Sequence, residues 1–214
     1  MTQLQFTLTG NPENAPAMTR YMKNKFKFLG VKSVERKTQS KVLLQTSIKL
    51  DRQTLHAWIA DLYQREAREY QYVAIDLATK NVRKWEFEDV IIFKNYIAQK
   101  SWWDSVDAWR TMFGKYIQRH PDEKQRVFEL FFQSPNFWER RVAIDLQLME
   151  KNNLDPEMLT QAILADQDTD EFFIQKAIGW ALRQYSKTNP EWVSNFLATH
   201  KLRALAVREA SKYL

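Results

Sequence analysis

The sequence predicts an all-α protein, and three observations support this fold class: few glycines, proline placement and an internal repeat. Only four glycines occur in 214 residues, whereas β-proteins with tight turns usually need more. Pro12, Pro156 and Pro190 each follow an asparagine or aspartate, a pattern typical of an N-cap followed by the first helical residue. No proline interrupts an amphipathic run, so these prolines mark helix starts.

The third observation is a small residue that recurs at nearly constant spacing. The recurring residues are Ala74, Ala108, Ala143, Ala177 and Ala210. The successive intervals between them are 34, 35, 34 and 33 residues. One further step of 34 residues back from Ala74 reaches Ser40. A period of this length is typical of helix pairs that bury their apolar faces on neighbouring pairs. We therefore expect an α-solenoid of about six helix-pair repeats, forming one domain over residues 1–214.

Composition narrows the classes of function. The chain has no cysteine, which excludes disulfides, zinc–cysteine sites and a thiol nucleophile, and favours a cytoplasmic setting. The first residues lack the pattern of a signal peptide, and no apolar run is long enough to span a membrane. The three histidines are scattered, and no metalloprotease motif or phosphate-binding loop occurs, so we expect neither a metal nor a nucleotide cofactor.

Positive charge is concentrated near the amino terminus. The formal net charge is +6, and the stretch 19–41 contains a single acid, Glu35. Its basic residues are interleaved with Tyr21, Phe26 and Phe28; they are Arg20, Lys23, Lys25, Lys27, Lys32, Arg36, Lys37 and Lys41. A solvated face usually mixes both signs, so this pattern favours nucleic acid as the partner.

A second cationic and aromatic surface emerges when the repeats are aligned on their small residues. Positions −5, −1, +3 and +6 from that residue share one helical stripe. In the third repeat this stripe contains Trp103 and Asp107, and in the fifth it contains Lys176, Trp180 and Arg183, flanked by Phe172 and Lys187. In the fourth repeat it contains Leu146 and Met149, with Arg141 at its edge.

The opposite face of these helices is apolar. It contains Val106, Ala108, Trp109, Ile174, Ala177, Ile178 and Ala181. Trp109 is therefore predicted to lie in the core, and Trp102, one position off the stripe, to pack between helices. A helical tryptophan is more often core than binding platform, but an apolar core does not place Trp103 and Trp180 beside so many cations.

Asp107 is the most informative residue of the stripe, because a carboxylate repels phosphates. One explanation is an ion pair with Arg110 or Arg141, which contributes about 0–1 kcal/mol when exposed. The alternative is a cationic ligand. Alkylation at N7 of guanine or N3 of adenine makes the base cationic, and aromatic faces attract cations. Such a base is a good leaving group, so its release needs a carboxylate that stabilises positive charge on the sugar, and a positioned water.

Four motifs resemble the bacterial AlkD-type DNA alkylation-repair family: "PAMTRYMKNKFKFLG", "KSWWDSVD", "NFWERRVAI" and "EFFIQKAIGWALRQYSKTNP". The resemblance extends from about Asn11 to the carboxyl terminus. It implies an α-solenoid of HEAT-like repeats with a concave, basic DNA-binding groove. It also implies a monofunctional DNA glycosylase that excises cationic N3- and N7-alkylpurines without a deep base-flipping pocket.

The resemblance also assigns roles to residues. It implies that Asp107 is catalytic, that Trp103 and Trp180 flank the lesion, and that Tyr21 lies near it. It further implies that Arg141 and Arg183 contact the DNA backbone, and the stripe adds Lys176 and Lys187 as DNA-binding residues. Two positions depart from the family pattern: Met149 stands where a lysine is frequent, and "MTQLQFTLTG" replaces a full first helix.

Several functions remain open at this point. The expected partner is double-stranded DNA that contains alkylated purines, bound by a monomer. A non-catalytic protein that binds damaged or branched DNA is the main alternative, although retention of Asp107 argues against it. A solenoid adaptor for proteins is disfavoured by the cationic aromatic stripe. A membrane-surface protein is disfavoured because no helix shows a broad apolar exposed face.

Overall fold

The structure is a computed structural model that describes residues 4–214. All regular structure in these residues is helical, with twelve α-helices and four short 3₁₀ turns, so the predicted all-α fold class is confirmed. The chain divides into two compact units, residues 1–85 and 86–214. The prediction of a single domain stays a prediction.

The first unit contains four α-helices. They are α1 (Ala15–Tyr21), α2 (Ser33–Ser47), α3 (Arg52–Gln64) and α4 (Arg68–Lys80), followed by a 3₁₀ turn at Val82–Lys84. Helix α4 packs against both α2 and α3. The core of this unit is formed by side chains that alternate with solvent-facing positions at helical spacing, among them Leu55, Ile59, Leu62, Val73 and Leu77.

The second unit contains the remaining eight α-helices. They are α5 (Phe87–Lys94), α6 (Trp103–Arg119), α7 (Lys124–Phe131), α8 (Phe137–Asp145), α9 (Pro156–Asp166), α10 (Phe172–Ser186), α11 (Pro190–Thr199) and α12 (Ala204–Ala210). Within this unit α6 packs on α8, α8 on α10 and α10 on α12. These helices carry the aromatic and cationic stripe, so the packing brings the stripe residues of successive repeats into one region of the unit.

The repeating small residue falls on every second helix. Ser40, Ala74, Ala108, Ala143, Ala177 and Ala210 lie on α2, α4, α6, α8, α10 and α12 respectively, and all except Ala108 are buried. Small side chains allow close approach of neighbouring helices. The twelve helices therefore alternate as the period predicts, while the solenoid and its concave groove stay predictions.

Two of the three proline-marked helix starts are confirmed. The side chains of Asp155 and Asn189 accept hydrogen bonds from backbone amides of the first turns of α9 and α11. The prediction was wrong at Asn11–Pro12, because α1 begins at Ala15. The Asn11 amide donates to the Leu29 carbonyl and its own carbonyl accepts from Asn14, so these residues form a turn before the helix.

A buried glutamate fixes the segment that follows α1. Both oxygens of Glu69, on α4, accept hydrogen bonds from the consecutive backbone amides of Leu29, Gly30 and Val31. Gly30 has φ +86°, and a Cβ atom there would lie 1.9 Å from the Asn11 carbonyl oxygen. Only glycine fits this conformation and contact, so the turn ties the α1 segment to α4.

No α-helix within residues 4–214 has both the length and the apolar character required to cross a membrane.

Candidate functional site

Asp107 is held by a bidentate ion pair. It lies on α6, and its Oδ1 and Oδ2 atoms accept hydrogen bonds from Nε and Nη2 of Arg141, on α8, at 2.8 and 2.9 Å. The Asp107 side chain retains 20% exposure. Two parallel charge-assisted hydrogen bonds fix the plane of a carboxylate as well as its position. Of the two ion pairs that the sequence allowed, the structure contains the one with Arg141.

Arg141 is itself fixed on every side. It is 5% exposed, and its Nη1 atom donates to the carbonyl of Phe173 on α10 at 2.6 Å. Burial lowers the pKa of Arg141, but the charge of Asp145 and the hydrogen bond to Asp107 outweigh it and raise the pKa above its ordinary value. Arg141 thus joins α6, α8 and α10 at one point. The expected contact of Arg141 with the DNA backbone stays a prediction.

A second buried arginine lies beneath Trp180. Arg110, one turn after Asp107 on α6, places its guanidinium carbon 5.5 Å from the centre of the Trp180 ring on α10. Burial lowers the pKa of Arg110, whereas Asp145 and Asp107 act in the opposite direction. This cation–π contact supports Trp180, which remains half-buried.

Both arginines face a third charged group, Asp145. It is the last residue of α8 and is 0% exposed. Neither of its oxygens accepts a hydrogen bond from any residue in the described range 4–214, and Arg141 Nη2 lies 4.0 Å away. Burial raises the pKa of Asp145 to about 7, despite the opposing charges of Arg141 and Arg110.

The tryptophans around Asp107 separate into two groups. Trp103 opens α6, one turn before Asp107, and is partly exposed. Trp109 is fully buried and stacks on Tyr96 with ring centres 5.3 Å apart, so its predicted core position is confirmed. Trp102 packs edge-on against Trp138 and Phe173, as predicted.

The cationic side chains of α10 form ion pairs with a glutamate of α12. Lys176, Arg183 and Lys212 all pair with Glu209 of α12, at 3.1, 3.1 and 2.7 Å. Hydrogen bonds from Lys212 and Lys176 lower the pKa of Glu209 to about 2. Lys187 is exposed and lies 4.9 Å from the centre of the Tyr213 ring. Lys176 and Arg183 therefore lie on α10 and Lys187 directly after it, each near a partner from residues 209–213.

The stripe prediction fails in the fourth repeat. Leu146 is buried: it follows α8 with helical backbone angles, and its backbone packs against Gly114 of α6. Met149 lies beyond the helix and is 53% exposed. The fourth repeat therefore adds no charged side chain to the stripe at position 149.

Tyr21 belongs to the first compact unit. It is the last residue of α1 and is 67% exposed. It borders an apolar recess of about 280 Å³ lined by Ala17, Met18, Tyr21, Met22, Phe28 and Tyr72. The role that the resemblance gives to Tyr21 stays a prediction.

No group of His, Asp or Glu side chains within the described part of the chain is arranged to hold a metal ion.

Comparison with known proteins identifies the family. The family model described as DNA alkylation repair enzyme matches residues 2–214. The chain belongs to the DNA alkylation repair enzyme family. A solved structure titled a predicted DNA alkylation repair enzyme from Enterococcus faecalis shares 50% identity with this family member, with a TM-score of 0.97, and the match covers 98% of this chain and 99% of that one.

Two more distant structures share the fold of this DNA alkylation repair family member. AlkD2 from Streptococcus mutans is 19% identical with a TM-score of 0.65, over 81% of this chain and 89% of that chain. The protein smu.31 from Streptococcus mutans UA159 is 18% identical with a TM-score of 0.67, over 92% and 99% of the two chains. None of the curated proteins matches the sequence.

The sequence pattern assigned no role at this site to Asp145, Glu209 and Lys212, and it offered Arg110 only as an ion-pair partner of Asp107 and not as the support of Trp180. Two of them carry a signal in their spacing. Arg110 is three residues after Asp107, and Asp145 is four residues after Arg141, so each lies on the same helical face as a residue already singled out. Glu209 and Lys212 are three residues apart and pair with each other, but their spacing gives no sign that Lys176 and Arg183 of α10 share this carboxylate.

Proposed function

We propose that this protein is a DNA glycosylase that hydrolyses the N-glycosidic bond of cationic N3- and N7-alkylated purines in duplex DNA. Membership of the DNA alkylation repair enzyme family gives the repair role. The observation that carries the finer proposal is Asp107, a partly exposed carboxylate whose two oxygens are fixed by buried Arg141 beside Trp103.

The proposed chemistry needs few groups. A cationic purine leaves without protonation, so the reaction requires no general acid. Positive charge develops on the deoxyribose as the bond breaks, and the Asp107 carboxylate stabilises that charge and orients a water for attack at the anomeric carbon. A carboxylate that is already oriented needs no reorganisation during the reaction, which is the advantage of its bidentate partner.

Aromatic and cationic side chains supply binding. The faces of Trp103 and Trp180 flank the lesion nucleotide, where their quadrupoles attract positive charge. Lys176, Arg183 and Lys187 contact backbone phosphates, which carry no sequence information but position the duplex. We propose that Tyr21, on α1, also contacts the DNA. In this proposal Arg141 acts mainly by orienting Asp107.

A non-catalytic DNA-binding role is the second candidate, and one observation favours it. The Asp107–Arg141 pair on its own is a complete structural ion pair, which a protein could retain for stability. The two candidates differ in whether base release depends on the charge of Asp107.

The test compares base release from two duplex oligonucleotides under single-turnover conditions, one with 7-methylguanine and one with the neutral base hypoxanthine. We expect release of 7-methylguanine only, because a neutral purine is a poor leaving group without a general acid. Asp107→Asn should abolish release, whereas Asp104→Asn, the same change one turn earlier on α6, should leave it within about twofold. Release by the Asp107→Asn protein at the wild-type rate would contradict the proposal.

A further inference from the structure

We infer that Asp145 is a positioning residue whose negative charge holds Arg141 and Arg110, and through them sets the placement of Asp107 and Trp180. This inference rests on the proposed function for its catalytic consequence, and its structural part stands on the contacts of the second unit alone.

Burial of an ionised carboxylate at position 145 destabilises the fold. Its side chain is fully buried, and neither oxygen accepts a hydrogen bond within residues 4–214. It is also the last residue of α8, where the helix dipole disfavours a negative charge. Buried carboxylates are normally hydrogen-bonded, and a strongly perturbed acid among charged neighbours is typical of functional sites. A side chain retained only for packing would not need this charge.

The two neighbours of Asp145 are the two arginines that support the proposed site. Arg141 donates to both oxygens of Asp107, and its Nη2 atom also lies 4.0 Å from Asp145. Arg110 stands under the Trp180 ring and is attracted by the same carboxylate. Asp145 therefore lies behind both, connected to Asp107 through one arginine and to Trp180 through the other.

The charge balance of this cluster affects the reaction. With Asp145 ionised, two carboxylates and two guanidinium groups sum to zero. With Asp145 neutral, the cluster carries a surplus positive charge next to the place where the sugar becomes positive. Like charge at that point opposes the reaction. Ionised Asp145 therefore leaves the negative charge of Asp107 available to the developing cation.

Charged side chains from two helices, α6 and α8, influence the ionisation of Asp145. Helix α6 contributes Asp107 and Arg110, and α8 itself contributes Arg141. Arg140, also on α8, is engaged with Asp166 of α9 at 3.0 Å. Burial raises the pKa of Asp145 to about 7, so its charge changes within the range in which enzymes are assayed.

The experiment measures single-turnover release of 7-methylguanine by wild type and Asp145→Asn between pH 6 and 8, and reports the ratio of the two rates. The ratio cancels the titration of the substrate itself. We expect it to rise about tenfold over this range, because the ionised fraction of a group with a pKa near 7 rises about tenfold. Asp166→Asn, which removes another buried, arginine-paired carboxylate, should give a ratio that does not vary with pH.

A second measurement does not depend on activity. The Nε–H signals of Arg110 and Arg141 are followed by NMR in the free wild-type protein from pH 6 to 8. We expect both to shift with one common midpoint, and the shift to vanish in Asp145→Asn.

The outcomes separate the inference from the proposed function. No base release by wild type would contradict the glycosylase, and the NMR titration would then decide the role of Asp145 alone. A pH-independent rate ratio in a folded Asp145→Asn protein would overturn the inference. If that variant does not fold, absence of the arginine shifts in wild type would overturn it.

Discussion

At the scale of single residues, the orientation of Asp107 depends on one partner with planar geometry. The Arg141 guanidinium presents two nitrogens to the two carboxylate oxygens and a third to the Phe173 carbonyl. A lysine carries the same charge but only one nitrogen, so it cannot reproduce these three contacts. Charge and orientation at Asp107 can therefore be separated by a single substitution.

Arg141→Lys should slow single-turnover release of 7-methylguanine by about 10- to 100-fold, since small misplacement of a catalytic group has effects of that size. The matched control is Arg140→Lys, the adjacent arginine, whose partner is Asp166. Equal slowing by the two substitutions would show that replacing either arginine of α8 slows base release. The orientation of Asp107 would then not be the cause.

The ionisation of Asp145 also gives a pH-dependent stability. Its pKa is raised to about 7 in the folded protein, from an ordinary value of 3.8. Between these values the folded state binds the proton more tightly than the unfolded state, so the contribution of Asp145 to stability falls as pH rises through this window and is constant above it.

We therefore expect the difference in unfolding free energy between wild type and Asp145→Asn to change from pH 5 to pH 7.5, to the disadvantage of wild type. Urea denaturation of both proteins at the two pH values measures it. A difference that stays constant across this window would mean that Asp145 titrates normally.

At the scale of elements, the contact between α10 and α12 is closer than side chains other than glycine allow. A Cβ atom at Gly179 would lie 2.4 Å from Glu209 Cβ and 2.9 Å from the Ala206 carbonyl oxygen. This approach brings Glu209 within reach of Lys176 and Arg183. Gly179 thus allows Glu209 to approach and hold the cations of the proposed DNA-binding face.

Gly179→Ala should destabilise the protein by about 1–3 kcal/mol, the usual range for overpacking, in spite of the higher helix propensity of alanine. Gly114→Ala on α6 is the control, because its nearest neighbour would be the Leu146 carbonyl oxygen at 3.3 Å. Chemical denaturation compares the two. A Gly179→Ala protein as stable as the control would mean that α12 shifts without cost.

The salt dependence of DNA binding tests whether the cations on α10 contact phosphates. Arg183→Ala should weaken binding to any duplex and reduce the slope of log K against log salt by about one, as expected for a phosphate contact. Lys201→Ala, an exposed cation between α11 and α12, should leave the slope unchanged. An unchanged slope for Arg183→Ala would assign that residue to holding Glu209 alone.

At the scale of the whole molecule, the period of small residues predicted the helix order well, because close helix packing requires a small side chain once per pair. The Asp107–Arg141 pair is separated by 34 residues, the length of one repeat. Its formation could thus have been expected from the register. The burial of Leu146 could not, since the register does not show that the end of α8 packs closely against Gly114 of α6.

The buried charges were harder to predict than the exposed ones. Sequence patterns show which face of a helix is polar, but they do not show which polar residue a third helix covers. Arg110 and Asp145 are both buried polar residues of this kind. The family resemblance supplied Tyr21, for which the helical pattern alone gave no role.

The most direct test measures DNA affinity and 7-methylguanine release together, for wild type and Asp107→Asn. We expect wild type to release the base, and Asp107→Asn to release none while binding the same duplex as tightly or slightly more tightly, because a charge that repels phosphate is removed. Parallel loss of binding and release in Asp107→Asn would contradict a catalytic carboxylate and leave Asp107 as a structural partner of Arg141.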